Sequence, residues 1–148
     1  MEIKILKVPE EKEERVLVEC HEVTSQVSAI VRFVKSVQQT ITGEDGDCEH
    51  EISIQDIYYI ESVDGKTYIY TKNKVYRTRA RLYELEERLA DSSFLRITKA
   101  TVLNLLKITA IKPALSGRFC AVLSNGEEVI ISRKYVADLK QKIRGGKV

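Results

Sequence analysis

Two stretches of the chain, about fifty residues apart, repeat one order of short apolar runs and turns. The first is DIYYIES, VDGK, TYIYT, KNK, VYRTR and then ARLYELEERL; the second is LKITAIK, PALSGR, FCAVLS, NGEE, VIISR and then KYVADLKQKI. Short runs rich in β-branched and aromatic residues, separated by Gly and Asn turn signals, indicate strands. Each copy is therefore predicted to be strand, turn, strand, turn, strand, helix.

The last element of each copy has one apolar face at helical spacing, so each helix is expected to pack on the strands before it. Ser132 is predicted to cap the second helix and Gly145 to end it. The apolar positions are Leu82, Leu85 and Leu89 in the first copy and Val136, Leu139 and Ile143 in the second.

The segment SFLRITKATVLNLLKI, residues 93–108, joins the two copies. We predict a strand over 94–97, a tight turn over 98–100 and a second strand over 101–104. The apolar residues of both arms anchor this turn in the core, so Lys99 is expected at the tip of a rigid loop.

The first 43 residues differ in texture from the repeat and are predicted to form a small β-β-α lobe. Alternating runs predict strands over 3–8 and 16–20 around an acidic turn, and Thr24 and Ser25 are good caps for a following amphipathic helix. The segment TGEDGDCEH, residues 42–50, is a loop by composition and the expected boundary. The predicted fold class is thus α+β: an acidic β-β-α lobe over 1–43, then a multi-stranded, mainly β module with short helices over 49–145.

Composition and cysteine usage favour a cytoplasmic globular protein. With 43% hydrophobic and 31% charged residues in 148, the chain is neither disordered in composition nor too short for a core. Three scattered cysteines, Cys20, Cys48 and Cys120, fit no disulfide framework or zinc ribbon. No uninterrupted apolar run resembles a signal peptide or reaches membrane-spanning length.

Charge is distributed unevenly along the chain. Residues 1–50 hold six Lys/Arg against eleven Asp/Glu, a balance of −5, whereas residues 51–148 hold eighteen against eleven, a balance of +7. Such asymmetry indicates that a basic part meets a polyanion and that an acidic part does not. The alternative is two solvated faces with scattered charge.

Catalytic and metal-binding patterns are weak, so no enzyme activity, cofactor or small-molecule substrate is predicted. The sequence has no P-loop, GxSxG, HExxH or GxGxxG signature, and the carboxylates Glu61 and Asp64 lack a base, nucleophile or metal to join them. The acidic loop 45–50 has His50 where a calcium loop needs glycine. The remaining Cys and His residues have no zinc-ligand spacing.

Basic residues recur at loop and junction positions of both copies. Lys66 and Arg118 lie in the first turn of each copy, and Arg79 and Arg133 lie where the last strand becomes a helix. Arg133 follows the predicted cap, at a helix start that favours an anion such as phosphate. The neighbouring Lys134 and the basic C-terminus strengthen this prediction of a polyanion-binding surface.

These patterns resemble the LytTR DNA-binding domain of bacterial transcription regulators, over about residues 49–145. The resemblance is carried by IYYIESVDGKTYIYT, the helix RLYELEERL, FLRITKATVLNLLKI, the NGE turn and VIISRKYVADLK, in this order and spacing. It implies an elongated arrangement of short strands with small helices, in which loops enter successive major grooves of double-stranded DNA.

The resemblance also implies roles for single residues. Lys66 is placed in the first base-reading loop, Thr98 and Lys99 in the second, and Arg133 at the last strand-to-helix junction, where Lys and Arg suit the guanine acceptors N7 and O6. On charge alone, the predicted phosphate contacts are Arg79, Arg118 and Lys134. The run Thr98-Lys99-Ala100 departs from the histidine common in the family's second loop, so the family's base preference does not transfer.

The resemblance further implies a homodimer on paired direct repeats and a small membrane-protein regulator as an additional partner. Only about 45 residues precede the module, too few for a receiver domain. The N-terminal lobe is therefore assigned to dimerisation or partner docking, with completion of the core as the alternative. The competing function is a protein-interaction module whose basic face binds an acidic partner or an anionic membrane surface without reading sequence.

Overall fold

The protein, seen in a computed structural model, is described over residues 1–144 and consists of ten strands and three helices. The predicted Gly145 helix stop and the end of the basic C-terminus lie outside the described residues. The helices are α1 (Ser25–Gln38), α2 (Leu82–Arg88) and α3 (Arg133–Arg144). The strands are β1 (Thr40–Asp45), β2 (Cys48–Ser53), β3 (Ile57–Val63), β4 (Lys66–Thr71), β5 (Val75–Thr78), β6 (Phe94–Thr98), β7 (Thr101–Asn104), β8 (Ile108–Pro113), β9 (Phe119–Leu123) and β10 (Glu128–Ile131).

The strands form two antiparallel sheets. Seven strands pair in the order β2-β1-β5-β4-β3-β7-β6, and three pair in the order β10-β9-β8. The first copy of the repeat thus forms β3, β4, β5 and α2 within the large sheet, and the second forms β8, β9, β10 and α3 beside it. The predicted mainly β fold with short helices is confirmed.

The structural repeat includes elements that precede each of the two similar sequence stretches. A short 3₁₀ turn precedes β3 and another precedes β8, and Ser53 and Asn104 cap them through their side chains. The register of β3 with β4 shifts between Ile57 and Tyr59, and that of β8 with β9 shifts between Ile108 and Ala110, 51 positions later in both cases. A hairpin comes before each copy, β1–β2 and β6–β7. Each half of the module is therefore hairpin, 3₁₀ turn, three-stranded meander and helix.

Helices α2 and α3 each close one hydrophobic cluster, as their apolar spacing predicts. The prediction fails at Ile143, which is 46% exposed. Leu85 of α2 is fully buried in a cluster with Ile60 and Ile69 of the large sheet. Leu139 of α3 is 1% exposed in a second cluster that includes Ile97 of β6. Because the second cluster contains residues from both sheets, it packs the small sheet against the large one.

Asn104, at the end of β7, ties three segments together by hydrogen bonds. Its Nδ2 donates to the Ile57 carbonyl oxygen at 2.9 Å, and its Oδ1 accepts from Ser93 Oγ at 2.6 Å and from the Leu106 N–H at 3.1 Å. The side chain is only 1% exposed, so water cannot replace these partners.

The N-terminal lobe differs from its prediction. Helix α1 is present, but residues 1–24 form no strand in the described structure and their side chains are almost all exposed. The strand predictions over 3–8 and 16–20 are wrong, because neither segment has a strand partner within residues 1–144 and an isolated strand cannot satisfy its N–H and C=O groups.

The predicted loop over 42–50 is also wrong, because it forms the β1–β2 hairpin. Its turn contains Gly46 with a φ of +64°, a conformation that glycine adopts at little cost. The polar, glycine-containing composition is typical of a loop, but here it specifies a turn between two strands. Since Glu44 of β1 is in register with Arg77 of β5, the expected boundary at 43–49 falls inside the large sheet.

Among the described residues, no helix combines the length and apolar character needed to cross a membrane.

We expect Asn104→Ala to lower the free energy of unfolding by about 2–3 kcal/mol, because it leaves buried partners unsatisfied. Chemical denaturation followed by circular dichroism measures this. Gln141→Ala removes an amide from the exposed surface of α3 and is expected to change stability by less than about 0.5 kcal/mol. Equal changes in the free energy of unfolding for the two variants would show that the hydrogen bonds of Asn104 do not stabilise the fold.

Candidate nucleic-acid interface

The turn between β3 and β4 projects Lys66 from one end of the large sheet. Asp64 and Gly65 have φ values of 52° and 78°, the two positive values of a type I′ hairpin turn. Lys66 follows at the first position of β4, in register with Val63, and its side chain is exposed. The turn is tight, so this lysine is held close to the end of the sheet.

The turn between β6 and β7 lies at the same end and carries Lys99 at its tip. Thr98 Oγ1 accepts the Ala100 N–H at 3.1 Å, and the Ala100 carbonyl oxygen accepts the Ser62 N–H at 2.8 Å. This second bond joins the turn to the end of β3, which also pairs with β4. Lys66 and the Lys99 turn are therefore two strand spacings apart, roughly 10 Å.

Arg96 supports the Lys99 turn through a hydrogen bond, a role that the sequence-based prediction did not include. Its Nη1 donates to the Lys99 carbonyl oxygen at 2.5 Å, and its Nη2 lies 2.9 Å from Glu86 Oε1 of α2. The side chain is 17% exposed. A charged residue three positions before Lys99 in an otherwise apolar strand was the available signal for this role.

The start of α3 is fixed to β6 next to the same turn. The Ser132 N–H donates to the Ile97 carbonyl oxygen at 2.9 Å, and Ser132 Oγ donates to the same oxygen at 3.2 Å. Ser132 thus directly precedes the helix as predicted, and its hydroxyl donates a hydrogen bond to strand β6. Arg133 directly follows Ser132, and Thr98, the first residue of the Lys99 turn, directly follows Ile97. The hydrogen bond between Ser132 and Ile97 therefore places Arg133 next to this turn.

Arg133 also lies against the loop between β8 and β9. A Cβ atom added at Gly117 would lie 3.0 Å from Arg133 Cδ, and Gly117 has a φ of +75°, so glycine suits this position on both counts. The adjacent Arg118 is exposed, and its Nε donates to the Leu115 carbonyl oxygen at 3.1 Å. The loop therefore brings Arg118 beside Arg133.

The other two predicted phosphate contacts occupy different environments. Arg79 directly follows β5, whose Thr78 is in register with Thr67, and it pairs with Glu44 Oε1 at 2.8 Å while its side chain stays 87% exposed. An exposed pair of this kind contributes little and can open. Lys134 is exposed in the first turn of α3, with its Nζ 5.5 Å from the Tyr135 ring centroid.

The structure thus brings the predicted site residues to one end of the module, which we call the basic end: Lys66, Arg79, Thr98, Lys99, Arg118, Arg133 and Lys134. They come from turns and a helix start, not from one helix face. Arg79 and Arg133 correspond only approximately between the two copies of the repeat, because Arg133 is the first residue of α3 whereas Arg79 lies three residues before α2.

The carboxylates considered for catalysis or metal binding are not assembled into a site. Glu61 Oε1 accepts a hydrogen bond from the Tyr70 hydroxyl at 3.0 Å. Burial, and then this carboxylate, raises the pKa of Tyr70 to about 12. No group of three His, Cys, Asp or Glu side chains in residues 1–144 is arranged to hold a metal ion.

We expect Arg96→Leu to loosen the Lys99 turn, because the Lys99 carbonyl oxygen loses its donor. Amide hydrogen exchange of Ala100 should become roughly tenfold faster, a change of about 1.4 kcal/mol in local opening. Arg15→Leu, at an exposed position in the N-terminal segment, should leave this exchange unchanged. Unaltered exchange in Arg96→Leu would contradict the bracing role.

Comparison with known proteins gives one consistent result. The LytTr DNA-binding domain family model matches residues 48–144. The sensory transduction protein LytT of Bacillus anthracis is 33% identical over 93 residues, covering 63% of this chain and 38% of that protein. The transcriptional regulatory protein LytR of Staphylococcus aureus (strain bovine RF122 / ET3-1) is 29% identical over 120 residues, covering 80% of this chain and 49% of that protein.

The fold leads to the same family. A solved LytTr DNA-binding domain from Bacillus cereus matches with a TM-score of 0.68 and 25% identity, covering 72% of this chain and 97% of that one. The chain spans less than half the length of the curated relatives named above. The matched residues include both copies of the repeat and the whole basic end, and the chain belongs to the LytTr DNA-binding domain family.

Proposed function

We propose that this protein is a sequence-specific transcription regulator that reads the major groove of DNA with the basic end. The observation that carries the proposal is the convergence of two turns and one helix start, all with basic side chains, at one end of the sheets. Base edges of guanine offer the acceptors N7 and O6, which Lys66, Lys99 and Arg133 suit. The Thr98 hydroxyl already accepts the Ala100 N–H and still has its own proton to donate to a base.

The rigidity of the turns favours reading of DNA bases over purely electrostatic binding without sequence preference. The Lys99 turn is held by bonds from Ser62 and Arg96, and the Arg133 helix start is held by Ile97. Side chains carried on a fixed backbone lose less conformational entropy on binding. The basic end is therefore preorganised for a groove of defined shape.

Phosphate contacts are assigned to the periphery of this end. Arg118 and Lys134 are exposed beside Arg133, and Arg79 lies beyond Lys66. Such contacts set register and orientation without reading bases. Binding of Arg79 to a phosphate requires its pair with Glu44 to open. Access to DNA and the free Cys20, Cys48 and Cys120 support a cytoplasmic location.

We also propose that the protein binds paired direct repeats as a homodimer, using the N-terminal segment. Residues 1–23 make one backbone hydrogen bond among the described residues, from the Lys12 N–H to the Pro9 carbonyl oxygen at 3.0 Å. Ile3 and Ile5 are 88% exposed and Leu17 is 70% exposed. Extended backbone with unpaired groups and apolar side chains favours pairing with another chain.

DNA titration at several salt concentrations tests the regulator. Four to six phosphate contacts predict a log–log slope of roughly −4 to −5, and a cognate site should bind at least about a thousandfold tighter than random duplex. Lys99→Ala and Arg133→Ala should each cost about 1–3 kcal/mol on the cognate site and little on random DNA, whereas Lys134→Ala should weaken both alike.

Two results would contradict this proposal. A steep salt slope without any preferred sequence would instead support a module whose basic face binds an acidic partner or an anionic membrane. Unchanged cognate binding by Lys99→Ala would show that the second turn does not read bases.

Light scattering of the full chain tests the dimer. We expect a dimer at tens of micromolar, and we expect Ile5→Glu combined with Leu17→Glu to shift it to monomer because charges then enter an apolar contact. Lys12→Glu adds a carboxylate in the same segment, at its polar turn, and should not dissociate the dimer. A wild-type monomer under these conditions excludes self-association through this segment and favours docking of another protein, such as a small membrane-protein regulator.

A further inference from the structure

A cavity of about 320 Å³ lies between α1, the connection from α2 to β6, and the end of α3. Arg32 and Lys35 of α1 and Lys142 of α3 line it, together with Asp91. Apolar side chains that include Val31 complete the wall. The cavity therefore combines three cations, one carboxylate and an apolar rim.

The three cations outnumber the one carboxylate of the lining, Asp91. None of them forms an ion pair with the described residues. Lys142 Nζ donates to the Phe94 carbonyl oxygen at 3.0 Å, which holds the ammonium group at the cavity without neutralising it. Three positive groups facing one exposed carboxylate repel each other, and an anion placed among them would relieve that repulsion.

Burial disfavours the charged form of two of these cations. It lowers the pKa of Lys142, with the nearby Arg32 as the next cause, while Asp91 acts in the opposite direction. Burial also lowers the pKa of the Arg32 guanidinium. Location at the end of a helix favours a cation at Lys142, but it does not account for the two cations of α1.

The cavity is separate from the basic end. Arg133 and Lys142 lie nine residues apart on α3, about 14 Å along the helix axis. The Phe94 contact is at the start of β6, whereas the Lys99 turn follows the end of that strand. A DNA phosphate at Arg133 and an anion at Lys142 would thus occupy different ends of the same helix and strand.

We propose that this cavity is a binding site for a phosphate group, free or carried by a small molecule. Arg32, Lys35 and Lys142 supply charged donors for its oxygens, and the apolar rim accommodates the body of a phosphomonoester. The volume is at the lower end of that of small-molecule pockets. Bound phosphate would link α1, which follows the proposed dimerisation segment, to the helix that carries Arg133.

Titration of the full chain with inorganic phosphate, and separately with phenyl phosphate, tests the site. Amide chemical shifts are followed at constant ionic strength, with sodium chloride replacing the phosphate salt in the reference series. We expect saturable shifts around Arg32, Asp91 and Lys142. Tighter binding of phenyl phosphate would indicate a phosphorylated small molecule as the natural ligand, and equal or weaker binding would indicate free phosphate.

Matched variants separate the cavity from general basicity. Lys142→Gln and Lys35→Gln should each raise the dissociation constant about tenfold or more, because each removes a charged donor. Lys72→Gln removes an exposed cation elsewhere and should leave it unchanged. Lys35 is exposed, so its variant decides the test if Lys142→Gln does not fold.

A direct readout is the Lys142 side chain itself. Burial lowers the pKa of Lys142 from the ordinary lysine value in the free chain, and bound phosphate should raise that pKa. Shifts that do not saturate, that centre on Lys99 and Arg133, or that persist in both cavity variants would overturn the proposal. None of these outcomes depends on recognition of a DNA sequence, so the site and the regulator proposal can fail independently.

Discussion

The Ile97 carbonyl oxygen is the point on which the arrangement of the basic end depends. It accepts both the N–H and the hydroxyl of Ser132, so two hydrogen bonds join the edge strand β6 of the large sheet to the residue that precedes α3. On one side of this contact the chain turns through Thr98 to Lys99, and on the other it continues into Arg133. The two halves of the module therefore present their basic side chains together because a backbone bond fixes their spacing.

The internal repeat explains the elements but not their pairing. Both halves carry a hairpin, a 3₁₀ turn, a meander and a helix, with the same register shift 51 positions apart. Yet β7 of the second hairpin pairs with β3 of the first half, while β1 pairs with β5. Because the second hairpin pairs with the first half, β8, β9 and β10 form a separate sheet, and the Lys99 turn lies beside the Lys66 turn. Similar local sequences thus produce one asymmetric surface.

Local sequence patterns predicted the elements that depend on residues close together in the chain. Apolar spacing placed the helices, turn residues placed most hairpins, and the Thr-Lys pair within SFLRITKATVLNLLKI marked the turn at Lys99. The family resemblance added the DNA-binding character, which charge asymmetry indicated only as a polyanion partner.

The errors arise where a partner decides the structure. The alternating N-terminal runs have strand composition, but a strand needs a neighbouring strand, and residues 1–24 have none in the described part of the chain. The glycine turn at Gly46 resembles a domain boundary in sequence, because β5, the strand that pairs with β1, is distant along the chain. The pair of Arg79 with Glu44 and the pair of Arg96 with Glu86 depend on side chains brought close only by folding, so no spacing rule could have shown them. The contact of Arg96 with the Lys99 carbonyl oxygen is local, and a charged residue in an apolar strand was its signal.

The central claim is that loops on a preorganised end read DNA sequence, and selection of bound duplexes from a random pool tests it most directly. The account predicts one enriched motif, repeated in the same orientation, with guanines at fixed positions. Parallel selection with Lys99→Ala should lose information at some of these positions while the rest of the motif persists. A bound pool with no enriched sequence, despite measurable binding, would contradict base reading by this end of the protein.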